Sequence, residues 1–198
     1  EMCIRDSLVT LYPIYSMVIE FILFTRKPSL VQIMGMTTCS ILLVIYLGVN
    51  ELVLSIGALE ALVAGLFAAI YFLAGRYARS HMKESTVDYA VKSYLVAAVS
   101  TMFIAILRGV DLIHYDIYRY MYFALLAVVP MMFGHTLMNF LLEKYSASIV
   151  TSISYGEPFG AGLLAYFVFG QEIPQINILL GIMIMATIFI TVTSSNMN

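Results

Sequence analysis

The sequence predicts an all-α fold, a polytopic membrane bundle of seven transmembrane helices, and three observations carry that prediction. Of 198 residues, 62% are hydrophobic and only 11% are charged, against roughly 25% charged in an ordinary soluble domain. Mean hydropathy is +0.94, and ten basic with twelve acidic side chains are too few to wet the surface of a 22.1 kDa globule. Apolar stretches of 17 to 26 residues recur along the chain, and about 20 such residues cross a hydrocarbon core about 30 Å thick. Strands of a membrane barrel are shorter, about 9–11 residues, and alternate strictly. A helix satisfies every backbone polar group within its own segment, as lipid demands. A net charge of −2 gives no general attraction to nucleic acid. The two cysteines, Cys3 and Cys39, are too few for a disulfide framework.

Taken in order, the spans are 8–24, 29–48, 57–75, 87–107, 117–142, 147–169 and 174–193. The first contains Pro13 and carries Glu20 near its inner end, where snorkelling toward Arg26 or Lys27 is the simplest reading. The second opens after Pro28 and holds Cys39. Along the third, Gly57, Ala61, Gly65 and Ala69 recur every four residues, a stripe suited to close helix packing. Glu60 lies near its outer end. The fourth starts with Asp88 and Lys92, an i, i+4 ion pair by spacing. Pro130 is expected to kink the fifth, and Pro13 and Pro158 the first and sixth. In the sixth, Gly156, Gly160 and Gly162 flank Glu157-Pro158 and permit close approach of a neighbouring helix or a ligand.

Basic residues set the orientation. Arg26, Lys27, Arg76, Arg79, Lys83, Lys92 and Lys144 flank the odd-numbered loops, and Arg5, Arg108 and Arg119 fall on the other side. Odd-numbered loops and the C-terminus are therefore expected in the cytoplasm, with the protein in the plasma or inner membrane. Residues 1–7 fit no targeting pattern.

The first and last helix pairs resemble one another. Pro13, Pro28 and Gly35 in the first pair match Pro158, Pro174 and Gly181 in the last, with Gly35 and Gly181 each seven residues after a proline. Span six follows span one by five helices, an odd number, so the two copies cross the membrane in opposite directions. Inverted repeats of this kind are frequent in transporters. With a five-helix unit, residues 57–195 form one complete repeat and residues 8–50 the last two helices of another. Three helices are then expected before residue 8, completing a ten-helix fold.

Several short runs together carry a family resemblance: Phe133-Gly134-His135-Thr136-Leu137-Met138-Asn139, then Tyr145-Ser146-Ala147-Ser148, Gly156-Glu157-Pro158-Phe159-Gly160 and Gly170-Gln171-Glu172. From residue 57 onward the chain resembles the second repeat of the drug/metabolite transporter superfamily, EamA type. Gln171 interrupts the family's Gly-Glu, and Arg26-Lys27 stands where the first repeat usually has an acidic residue. The resemblance implies two five-helix repeats and transport of small metabolites.

An ionisable group at mid-membrane costs about 2.5–3.5 kcal/mol on insertion scales and usually faces protein or a cavity. Glu157 lies ~16 Å along span six at 1.5 Å per residue. It reads as a carboxylate for a cationic or hydroxyl-bearing substrate or a proton, with a protonated packing residue as the alternative. His135 and Asn139 share a face of span five, and His135 lies about 14 Å deep. A His135–Glu157 proton relay is one reading; a neutral histidine bonded to a carbonyl, and an asparagine joining helices, are the simpler ones. Ser154 and Tyr155 are candidate cavity residues, and Gly57, Gly65, Gly156 and Gly160 candidate packing positions.

Enzymatic motifs are absent. There is no G-x-S-x-G, H-E-x-x-H or P-loop, and His81, His114 and His135 are too dispersed for a metal site. No cofactor, metal or catalytic residue is expected. No lysine follows Lys144, which removes a retinal-type chromophore. The expected function is alternating-access transport of a small metabolite or drug-like solute, with coupling to protons as one reading, against a receptor-like bundle or scaffold as the rival. The expected partners are the lipid bilayer, a small-molecule substrate, and the missing N-terminal helices or a second subunit. A transporter should have a mid-depth cavity reaching His135, Tyr155 and Glu157; a scaffold should pack those groups dry.

Overall fold

A computed structural model describes residues 9–24, 27–48 and 56–195; Cys3, Arg5 and Arg26 lie outside them. The described residues are helical throughout, without strands. In chain order the helices are α1 (Tyr12–Phe24), α2 (Leu30–Tyr46), α3 (Ile56–Ser80), α4 (Thr86–Leu107), α5 (Ile117–Leu126), α6 (Thr136–Leu141), α7 (Ala147–Ser152), α8 (Glu157–Phe169) and α9 (Gln175–Ser195). A π-helical segment, Ala127–His135, joins α5 to α6, and a 3-10 turn, Ile153–Gly156, joins α7 to α8. Four rods are long and apolar enough to cross a bilayer: α3, α4, the continuous run Ile117–Leu141, and α9. Helices α1 and α2 are apolar but shorter, at 13 and 17 residues.

Local chemistry explains the boundaries. Ser29, Ser85, Asp116 and Ser146 cap the N-termini of α2, α4, α5 and α7, each side chain accepting from an N–H three residues on. At α2 the cap is reciprocal, because Gln32 reaches back to the Ser29 N–H at 2.9 Å. Gly170 closes α8 in the left-handed region at φ 64°, where its missing Cβ removes the steric cost.

Three prolines each produce a break just ahead of themselves. A proline ring inside a helix collides with the carbonyl four residues earlier and supplies no N–H. Ahead of Pro13 the helix is interrupted at Thr10–Leu11, and α1 starts from the turn bond Ile14 N–H to Leu11 carbonyl at 3.0 Å. Ahead of Pro158 the 3-10 turn divides the sixth span, which the sequence predicts as one helix. Pro13 and Pro158 thus open new helices rather than bend continuous ones. Pro130 lies inside the wide π segment. There Tyr94 of α4 donates to the Met131 carbonyl at 2.9 Å, satisfying backbone that the altered winding frees.

The chain divides into two compact units, residues 1–73 with 146–198, and residues 74–145. In the first, α2 packs along α9. Gly35 lies against Thr191, the Cys39 thiol against the Ile184 carbonyl, and the Tyr46 carbonyl against the Asn177 amide. The partner numbers fall as the α2 numbers rise, so the two helices run antiparallel. Met36, Leu43, Tyr155 and Ile184 are fully buried at their contact. The stripe Gly57, Ala61, Gly65, Ala69 is a buried face of α3.

Helix α1 packs on α7, and Glu20 explains why. Its carboxylate is 5% exposed and accepts from the Ala147 N–H at 2.8 Å, the Ser148 N–H at 3.2 Å and the Ser148 hydroxyl at 2.6 Å. The carboxylate thus serves as a helix cap; of the partners expected from sequence, Arg26 lies outside the described residues, and Lys27 forms no ion pair with Glu20 among the described residues. First-turn N–H groups lack helical acceptors, and a carboxylate opposes the positive end of the helix dipole.

In the second unit, α3 caps the far end of α6. Arg76 donates to the Leu142 carbonyl at 2.7 Å. Arg79, 4% exposed, donates to the Asn139 carbonyl at 3.3 Å and pairs with Glu143 at 2.5 Å. Last-turn carbonyls favour cations for the same electrostatic reason. Arg79→Met is expected to lower stability by about 1–3 kcal/mol, since it strips a buried carbonyl and Glu143 of their donor; thermal unfolding in detergent measures it. The expected Asp88–Lys92 pair is rearranged: Lys92 binds Glu84, and Asp88 accepts from the Ser85 hydroxyl at 2.6 Å. Between α4 and α5, the N–H groups of Ile113 and His114 hold the Asp111 carboxyl below its ordinary range. The turn they stabilise therefore persists at neutral pH and weakens as the pH falls through that lowered value.

Candidate functional site

The break at Ile153–Gly156 leaves Glu157 as the first residue of α8, with Pro158 at the first turn. Both line a cavity of about 720 Å³ in the first unit, a volume that suits a small organic ligand. Its wall runs along α8 through Ala161, Gly162 and Ala165 to Gln171 and Glu172. Thr10 and Tyr12 contribute from the break ahead of Pro13, Tyr46 and Leu47 from the end of α2, and Pro174 and Asn177 from the start of α9. Two interrupted spans thus present their irregular turns to one chamber. Irregular backbone at membrane depth is tolerated where it lines a cavity or is buried in protein.

Three hydrogen-bonding groups fix the chamber wall. Tyr46 donates its hydroxyl to the Pro158 carbonyl at 3.3 Å. The space for that ring exists because residue 162 is glycine: a Cβ there would lie 3.0 Å from the Tyr46 hydroxyl. Asn177 donates its amide to the Tyr46 carbonyl at 3.2 Å, just beyond the last helical turn of α2. Tyr12 stacks on Phe72 with ring centroids 5.6 Å apart, and its hydroxyl stands beside Ser154 and within electrostatic reach of Glu157. Glu157 is exposed to the chamber, and as a first-turn carboxylate it is favoured by the helix dipole.

The residues singled out from sequence are distributed unevenly around this site. Glu157 lines the chamber. Tyr155 does not; it is fully buried in the α2–α9 core, where its hydroxyl meets that of Ser40 at 2.8 Å. Ser154 is buried and donates to the Thr151 carbonyl at 2.8 Å. Ser154 and Tyr155 are covered by packing within the first unit, while Glu157 and Pro158 face the chamber. His135 and Asn139 belong to the second unit. Asn139 is fully buried at the Arg79 contact, and His135 is half-buried at the end of the π segment. Gly156 is a contact point, where a Cβ would lie 2.9 Å from the Met185 sulfur, whereas a Cβ at Gly160 would meet nothing. Close approach along α8 therefore falls to Gly156 and Gly162 instead of Gly160.

Tyr12, Tyr46 and Asn177 are site residues that the sequence did not single out. Asn177 had a signal, an amide three residues beyond Pro174 at the head of an apolar run. The two tyrosines had none, since tyrosines near span ends belong equally well to interfacial belts.

Four helices long and apolar enough to cross a bilayer define a multi-pass membrane protein. The sequence profile of the EamA-like transporter family matches residues 55–193, which takes in α3 to nearly the end of α9, and the chain belongs to that family. No curated protein matches the chain.

Proposed function

We propose that this chain is the solute-translocating part of an alternating-access transporter, with the chamber along α8 as the binding site. The observation that carries the reading is the placement of Glu157, a carboxylate at a broken span, on the wall of a 720 Å³ cavity. Binding at discontinuous helices near mid-membrane is how many secondary transporters hold their substrates. The antiparallel pairing of α2 with α9 supports the inverted-repeat reading: α1–α2 closes one five-helix repeat over residues 8–50, and residues 57–195 supply the other. Rocking of one repeat against the other would open the chamber to each side in turn, and Glu157 would exchange its proton during the cycle.

The test uses the full-length parent in proteoliposomes incubated with a mixture of small metabolites, with vesicle contents read by mass spectrometry across a range of pH. Glu157→Gln is expected to reduce uptake of the transported solutes at least tenfold and to flatten the pH dependence. Unchanged rate and pH profile would end the coupling role. Uptake unchanged by both Glu157→Gln and Gly162→Leu, which fills the chamber wall, would remove the binding site from this chamber, and no uptake of any solute would favour a scaffold instead.

A further inference from the structure

We propose that the substrate class is an organic cation, a protonated amine or quaternary ammonium carried on an apolar body. This deepens the transporter reading and rests on the same chamber. Among the described residues the lining includes two carboxylates, Glu157 and Glu172, and no lysine, arginine or histidine. Among the described residues neither carboxylate takes part in an ion pair, so their charge is left to the cavity.

The hydrogen-bonding character of the wall points the same way. The Tyr46 hydroxyl and the Asn177 amide spend donor hydrogens on backbone carbonyls. Beside the neutral groups of Thr10, Tyr12 and Gln171, the charged and aromatic groups of the wall are the two carboxylates and the rings of Tyr12 and Tyr46. Such groups favour a cation and repel an anion. A metal ion fits poorly. Glu157 opens α8 and Glu172 follows its end, and a 13-residue helix places them about 20 Å apart. They cannot share one ion, and a single carboxylate falls well short of the six or more oxygens that hard cations require. The remaining wall is mainly apolar, with prolines, alanines and aliphatic side chains, which suits the hydrocarbon body of an amine. Glu172, exposed in the loop after α8, would attract the cation, and Glu157 would hold it.

The experiment compares four probes of similar size: phenethylamine, benzyltrimethylammonium, 2-phenylethanol and 3-phenylpropanoate. Binding to the full-length protein in detergent is read by calorimetry, and uptake is read in proteoliposomes. The two cations are expected to bind at least tenfold more tightly than the alcohol, and the acid not at all. Glu157→Gln is expected to abolish the tenfold preference, with an unfolding temperature in detergent close to that of the parent showing that the variant is folded. Glu172→Gln is expected to slow cation association and to reduce its salt dependence. Equal binding of alcohol and amine, tighter binding of the acid, no binding by either cation, or a preference untouched by both variants would overturn the cation class. Transport of neutral or acidic solutes alone would overturn it too, yet leave the transporter reading standing. Charge-selective binding of the cations with no transport of any solute would uphold the class and sink the transporter reading.

Discussion

Gly181→Ala is expected to destabilise the first unit by about 1–3 kcal/mol, the usual range for overpacking a tight contact, and Gly35→Ala to do the same. A Cβ at position 181 would lie 2.1 Å from Phe159 Cδ2 and 2.5 Å from two further ring atoms, so the ring lies flat on the glycine. At position 35 the Cβ would meet Thr191 Oγ1 at 1.9 Å and Thr191 Cβ at 3.1 Å. Thr191 cannot simply turn away, because its hydroxyl donates to the Thr187 carbonyl at 2.7 Å and rotation puts its methyl group in the same space. Thermal unfolding in detergent reads both effects. Phe159→Leu is expected to rescue most of the Gly181→Ala loss, and Thr191→Ala part of the Gly35→Ala loss, with the remaining Cβ contact limiting the second rescue. Additive double variants would show that the close approach at these glycines does not set the helix spacing.

The second large effect is expected at Glu20. Glu20→Ala leaves two buried N–H groups and one buried hydroxyl of α7 without their acceptor, at about 1–3 kcal/mol for each unsatisfied group. A total of about 3 kcal/mol or more is expected. Glu20→Gln keeps one acceptor oxygen and removes the charge facing the helix end, so its loss should be roughly half as large. The unfolding temperature of the pair measures the split. Equal losses would mean that the charge, not the hydrogen bonding, holds α1 to α7. Lys27→Ala should be neutral, because the carboxylate is already engaged elsewhere.

What the sequence reveals here depends on how local the cause is. Span positions depend on runs of apolar residues, and all seven predicted stretches coincide with helical segments to within a few residues. Breaks ahead of Pro13 and Pro158 follow from a collision four residues away, and the prolines mark them, although the sequence reads them as bends in continuous helices. The caps at Ser29, Ser85, Asp116 and Ser146 are equally local. Glu20 shows where legibility ends: its partners are 127 and 128 residues distant, whereas the sequence offers only the nearby Arg26 and Lys27. Glu157 was found because charge is rare in lipid and therefore conspicuous. Tyr155, two residues away, is buried in the α2–α9 core instead of lining the cavity, because residues two apart on a helix face different ways and nothing in Ile153-Ser154-Tyr155 says which of them distant helices cover. Tyr46 is absent from the sequence-based site because its role is created by a glycine 116 positions later.

The π segment around Pro130 carries one further consequence, an angular one. Each residue added to or removed from a helix turns everything beyond it by about 100°. The wider winding of Ala127–His135 thus works as a phase offset: Tyr118 and Tyr122 on α5 and Asn139 on α6 are not aligned as an uninterrupted α-helix would align them. Deleting Val129 would restore ordinary winding and swing the α5 aromatics to a different azimuth, while α6 and its arginine-capped end stay where they are. The surplus turn therefore sets which side of α5 meets the hydrocarbon, independently of how α6 is anchored.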